Sequence, residues 1–142
     1  MIKEKVRRLV EQYGTREPLE LAKHLNIMVN FRPLGELNSY FLSSNGINIV
    51  TINSNLPRQV QSFTLACEIG YLQSRHESNS FILRDTFFHA AAHEDETETI
   101  KFALYLLLSD KQIRDNPEYT AATWAEIYGL PIDLMELRFQ MR

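Results

Sequence analysis

The chain has almost no cysteine, no excess of positive charge and no apolar run of membrane length, and each absence removes a class of function. A single Cys in 142 residues excludes an internal disulfide framework. A formal net charge of −3 leaves no global basic field to draw the chain to nucleic acid or acidic lipid, so any DNA contact would have to be local. The longest apolar runs, such as Ala103 to Leu108, fall far short of a bilayer's width. Internal repeats and low-complexity tracts are missing, and Met1-Ile2-Lys3-Glu4-Lys5 opens an amphipathic pattern rather than the apolar core of a signal peptide. A cytoplasmic address follows as the expectation. What is present, 44% hydrophobic and 23% charged residues, suits one globular domain with a sizeable core.

Periodicity orders the chain. Ile2, Val6, Leu9, Val10 and Tyr13 recur at helical spacing, and Gly14 stands where a helix commonly stops. Pro18 suits the first turn of a short second helix ending near Asn26, on which His24 reads as a solvated histidine. From Ile27 the period becomes two. Residues 27–31, 39–42 and 47–52 read as strands, with Asn45-Gly46 as a hairpin turn between the last two, because both residues tolerate positive φ. We expect these strands to form a small antiparallel sheet. A helix over about 57–73 follows, polar in its first turns and apolar nearly all round from Phe63, which is the pattern of a central helix. Residues 74–86 lack a clear period and read as loop with at most a short strand. Glu94-Asp95-Glu96 then opens a helix through Leu108, where acid at the N-terminus complements the helix dipole. Pro117 breaks the chain ahead of two final helices, 119–128 and 132–141, joined by Gly129-Leu130-Pro131. That pair has the spacing of a helix-turn-helix. Asp133 and Glu136 occupy the positions where a DNA reader wants basic and amide side chains, which favours a packing hairpin.

Glu68 is the one charge between Phe63 and Leu72. A carboxylate in such a run needs a partner or a task. In a helix, positions 67, 68 and 71 crowd onto one side, as they do in the His-Glu-x-x-His signature of zinc proteases, where two His hold the metal and the Glu is general base. Here Cys67 and Tyr71 fill the two His positions. A buried lone Cys is most simply a small core residue, and a phenol must ionise to bind metal well. His89 and His93 are four apart and would share a helix face, the pairing a metal site wants, and His76 lies shortly after the Tyr71 helix. The plain alternative for all three is a solvated histidine.

Tyr13-Gly14-Thr15-Arg16-Glu17-Pro18, the strand end Ile52-Asn53-Ser54-Asn55-Leu56, the helix Phe63 to Tyr71, Phe102-Ala103 with its leucine run, and Ala125 to Pro131 together carry a resemblance. In order and spacing the chain resembles, over nearly its whole length, the ImmA/IrrE family of metallopeptidases of mobile elements and stress regulation. The resemblance implies an α+β fold: a small three-stranded antiparallel sheet packed on a central zincin-like helix, with a helical C-terminal part. It implies a metallopeptidase-like region over 1–110 and a C-terminal helical hairpin over 111–142, packed as part of the same domain. Carried over by position, the metal ligands become Cys67, Tyr71 and Glu96, and the general base becomes Glu68. A rearranged zinc site using His89, His93 and a carboxylate such as Glu96 is the alternative. Without a metal to acidify water, Glu68 alone cannot make the nucleophile at neutral pH. The expectation is a degenerate, inactive member with no cofactor, zinc being required only if it is active. The implied partner is a helix-turn-helix repressor, bound in an antirepressor or regulatory role. The competing readings are an active zinc endopeptidase with an unorthodox ligand set and a direct DNA-binding regulator.

Overall fold

The computed structural model describes residues 2–74, 80–83 and 94–141. Helix α1, Ile2–Tyr13, buries Val6 and Leu9 and ends where Gly14 donates its N–H to the Val10 carbonyl at 2.8 Å. Helix α2, Pro18–His24, starts on a proline and is capped by the Glu17 carboxylate, which accepts from the Glu20 N–H at 2.8 Å. His24 is exposed and stacks on Tyr13, with ring centroids 5.1 Å apart.

Strands β1, Ile27–Arg32, β2, Ser39–Ser44, and β3, Ile47–Asn53, follow as their alternation predicts, and Asn45 and Gly46 both take positive φ in the β2–β3 turn. A fourth strand, β4, Ser80–Leu83, falls inside the segment read as loop with at most a short strand. The sheet order is β1-β3-β2-β4. It is mixed, not purely antiparallel as expected: β2 runs antiparallel to β3 and β4, whereas β1 runs parallel to β3. The cause is how the strands connect. The short connection from Arg32 to Ser39 sends β2 back against β1, and β3, returning through Asn45-Gly46, then runs with β1, β2 and its flanking turns serving as the crossover that parallel neighbours require.

Helix α3, Arg58–Ser74, lies between this sheet and helix α4, Glu94–Leu107. Phe63, Leu65, Ala66, Cys67 and Ile69 of α3 are buried, as are Ile100, Ala103, Leu104 and Leu106 of α4. Gly70 lets the two helices touch. A Cβ there would sit 2.8 Å from the Phe102 ring, closer than carbon atoms can approach. Beyond α4 comes a helix that periodicity missed, α5, Asp110–Asp115, held by a capping box: Ser109 Oγ accepts from the Gln112 N–H while the Gln112 side chain accepts from the Ser109 N–H. Helices α6, Ala121–Tyr128, and α7, Ile132–Gln140, form the C-terminal hairpin. Gly129 turns between them at φ 64, and the Leu130 N–H returns to the Ala125 carbonyl.

The end of α4 gathers the chain's distant parts. Its terminal carbonyls have no partners within the helix. Arg16 Nη1 donates to the Tyr105 and Leu106 carbonyls, both at 3.0 Å, the Tyr128 hydroxyl donates to Leu107 at 2.7 Å, and Arg138 Nε donates to Leu108 at 2.9 Å. Two cations thereby face the negative end of the helix dipole. Arg138 is fully buried, pairs with Asp110 at 2.7 Å and lies over the Tyr105 ring at 4.8 Å. Burial alone would push Asp110 up, but Arg138 and Lys3 hold its carboxyl below the ordinary value.

Candidate functional site

Helix α3 and strand β2 build the site between them. Successive inward residues of a strand are two apart, so Ser39 and Phe41 point together at α3; three residues separate Glu68 from Tyr71, which places those two side by side on the helix. The pairs meet. Ser39 Oγ donates to Glu68 Oε2 at 2.6 Å, and the Phe41 ring lies 6.0 Å from the Tyr71 ring at a tilt of 58°. Ser39, Phe41 and Glu68 are completely buried, while Tyr71 is half-buried.

Only half of the Glu68 carboxyl is satisfied. Among the described residues Oε1 has no hydrogen-bond partner, and neither does Thr64 Oγ1, buried one turn earlier on the same helix face. An ionised carboxylate left in that state would carry a large desolvation cost. Burial therefore pushes the Glu68 pKa up to about 8, against the opposing pull of the Ser39 hydroxyl. A general base must be ionised when it takes its proton, and the burial of Glu68 works against that form.

Cys67 is also fully buried, and burial first, with the Glu68 charge second, pushes its thiol well above the ordinary value. Thiolate is the form that ligates metal. Cys67 and Tyr71 put a fully buried thiol and a half-buried phenol where the signature has two imidazoles, and Ser39 bonds Oε2 of Glu68, so the described donors at this position do not make the set of a catalytic zinc. Among the described residues no three His, Cys, Asp or Glu side chains come together in a group that could hold a metal. Glu96 takes its expected place in the first turn of α4, although its side chain lies outside what is described. His76, His89 and His93 lie outside the described residues. Of the site residues read from the sequence, Cys67, Glu68 and Tyr71 thus stand on one helix, and Ser39 is the partner that reading missed. A small polar residue two before an inward Phe was the available signal.

Two similarities bear on this geometry. A family model described as IrrE N-terminal-like domain matches residues 22–140, from α2 to the end of α7. Over 97% of its length, and 89% of the other protein's, the chain is 31% identical to a Bacillus phage phi105 protein called uncharacterized immunity region protein 2.

Proposed function

The chain belongs to the family of the IrrE N-terminal-like domain, and from that membership we propose that it is a phage-type regulator that keeps the peptidase fold but acts by binding. Its partner in this proposal is a helix-turn-helix repressor, held without being cut. One observation carries the reading: a fully buried thiol and a half-buried phenol stand at the two positions where the signature has imidazoles, and the buried carboxyl beside them is bonded to Ser39, where catalysis needs a metal-bound water. The relative in a phage immunity region agrees with a regulatory setting.

The hairpin of α6 and α7 argues against DNA reading. Arg138, one of two arginines late in the sequence of α7 and its end, is spent inside the protein on Asp110 and the Leu108 carbonyl, and the exposed residues at the start of α7 include Asp133. No helix among the described residues is long and apolar enough to cross a membrane.

Metal analysis tests the proposal. The full chain, expressed in zinc-supplemented medium and purified without chelator, is expected to carry far less than one equivalent of zinc. About one equivalent, lost on Cys67→Ala or on His89→Ala, would overturn the binding-only reading in favour of an endopeptidase with an unorthodox ligand set.

A further inference from the structure

The chain's charge is unevenly spread. Residues 116–141 hold four acids and one base, and the remaining residues hold fourteen of each, so the whole formal charge of −3 belongs to the C-terminal hairpin and the short loop before it. The one base, Arg138, is fully buried and is neutralised there by Asp110. The acids are all outside. Glu118, Glu126, Asp133 and Glu136 are exposed, and none of them makes a hydrogen bond or ion pair among the described residues. Elsewhere the surface acids Glu4, Glu11 and Asp115 do find cations, in Arg7 and Lys111.

Open apolar side chains stand among these acids. At about 3.6 residues per turn, Ile132, Asp133 and Glu136 fall on the side of α7 away from buried Leu134, Met135 and Arg138, and Glu126 and Ile127 fall on the side of α6 away from buried Trp124 and Ala125. Ile127 and Ile132 flank the Gly129 turn and are 47% and 46% exposed. Glu136 lies one turn from Ile132 on the same helix face. The turn is anchored from beneath, where Gln59 of α3 donates to the Ile127 carbonyl at 3.2 Å, so this face is formed before any partner arrives. Arg58, the cation next to Gln59, pairs with none of the hairpin acids among the described residues. Charge of one sign around two open isoleucines repels an acidic partner and steers a basic one, while the apolar pair supplies the contact that exposed charges alone give weakly.

We propose that the outer face of the α6–α7 hairpin docks a basic segment of a protein partner, one that covers Ile127 and Ile132 with a Leu-, Ile- or Phe-sized side chain and sets Lys or Arg against Glu126 and Glu136. The inference rests on the binding role proposed above and names the surface that performs it. In a repressor, the basic surface is the one that meets DNA phosphates, so the hairpin and operator DNA compete for it.

The test uses the whole chain in two arms. Random dodecapeptides displayed on phage are selected on the immobilised protein, and enriched peptides are then measured against Glu126→Gln/Glu136→Gln and Ile127→Gln. Two controls accompany them: Glu20→Gln/Glu36→Gln, which changes the net charge equally on another part of the surface, and Leu42→Gln, which removes an open apolar side chain from the sheet. All of these side chains are exposed, so each variant is expected to melt within a few degrees of wild type. The expected result is enrichment of peptides with Lys or Arg close to a large apolar residue, weakened about tenfold or more by Glu126→Gln/Glu136→Gln and by Ile127→Gln, weakened by salt, and unchanged by both controls. No enrichment, acidic peptides, equal binding to the hairpin variants, or an equal loss in the charge control overturns the proposal. In the second arm a helix-turn-helix repressor encoded beside the gene is titrated against the same variants. Binding that ignores both hairpin variants, or a ternary complex with the repressor's operator DNA, sinks the surface while sparing the regulatory function. Failure of the repressor to bind, with basic-apolar peptides still selected by the hairpin, supports the surface and sinks the repressor assignment alone.

Discussion

Glu68 couples the fold to pH. Its carboxyl titrates near 4.5 in an unfolded chain and at about 8 in the native protein. Below pH 4.5 both states hold the proton. Between 4.5 and 8 the unfolded chain has released it while the native chain keeps it, so the native state binds more protons and stability falls as pH rises through that window. At roughly 1.4 kcal/mol per tenfold change in proton affinity, the penalty grows to a few kcal/mol by pH 8. Glu68→Gln copies the shape of the neutral acid without its proton. The variant is expected to match wild type in urea unfolding at pH 4.5 and to be more stable by up to a few kcal/mol at pH 8; a difference that does not change with pH would contradict a buried neutral acid. Gly70 offers a second test at this scale. Alanine is the better helix former by about 1 kcal/mol, yet a Cβ at position 70 meets the Phe102 ring at 2.8 Å. Gly70→Ala is therefore expected to destabilise by about 1–3 kcal/mol, and less in a Phe102→Leu background, where the ring no longer blocks it.

The elements hold together through the end of α4. Arg138 is fully buried with its guanidinium on Asp110 and the Leu108 carbonyl. Its Nη1 has no partner among the described residues, which leaves the pair imperfectly compensated there. Arg138→Ala leaves the Leu108 carbonyl and the Asp110 carboxylate without their guanidinium and opens a cavity, and is expected to cost about 3–5 kcal/mol in chemical denaturation. Tyr128→Phe removes one hydrogen bond to the Leu107 carbonyl and keeps the ring; a loss of about 1–2 kcal/mol is expected. How the sequence discloses these elements depends on range. Local signals are legible: the stop at Gly14, the proline start of α2, the Asn45-Gly46 turn and the apolar flank of α3 all lie within a few residues of what they determine. The Ser109-x-x-Gln112 box is equally local, but α5 buries little more than Ile113 and so has almost no apolar stripe to mark it. Nonlocal pairings are not legible. Nothing near β1 says that it joins β3 in parallel rather than β2, and nothing near Ser39 names Glu68, 29 residues away. The site itself is half legible, since the position of Glu68 in the helix follows from spacing whereas its protonation follows from a strand that spacing cannot place.

For the whole molecule, the central question is whether a chain of this family with no imidazole at positions 67 and 71 binds or cuts. The fold retains the central helix, the sheet beside it and the helix that follows. What differs from the His-Glu-x-x-His signature is the chemistry at positions 67 and 71, where a thiol and a phenol stand in place of imidazoles. Binding by an acidic chain with net charge −3 makes a protein partner a better fit than bare DNA. The most direct measurement mixes the chain with the neighbouring helix-turn-helix repressor, with zinc or with chelator, and follows both complex formation and the intact mass of the repressor. The expected result is a complex of the same affinity in zinc, in chelator and with Glu68→Gln, with the repressor mass unchanged. Shortening of the repressor that requires zinc and disappears with Glu68→Gln would contradict it.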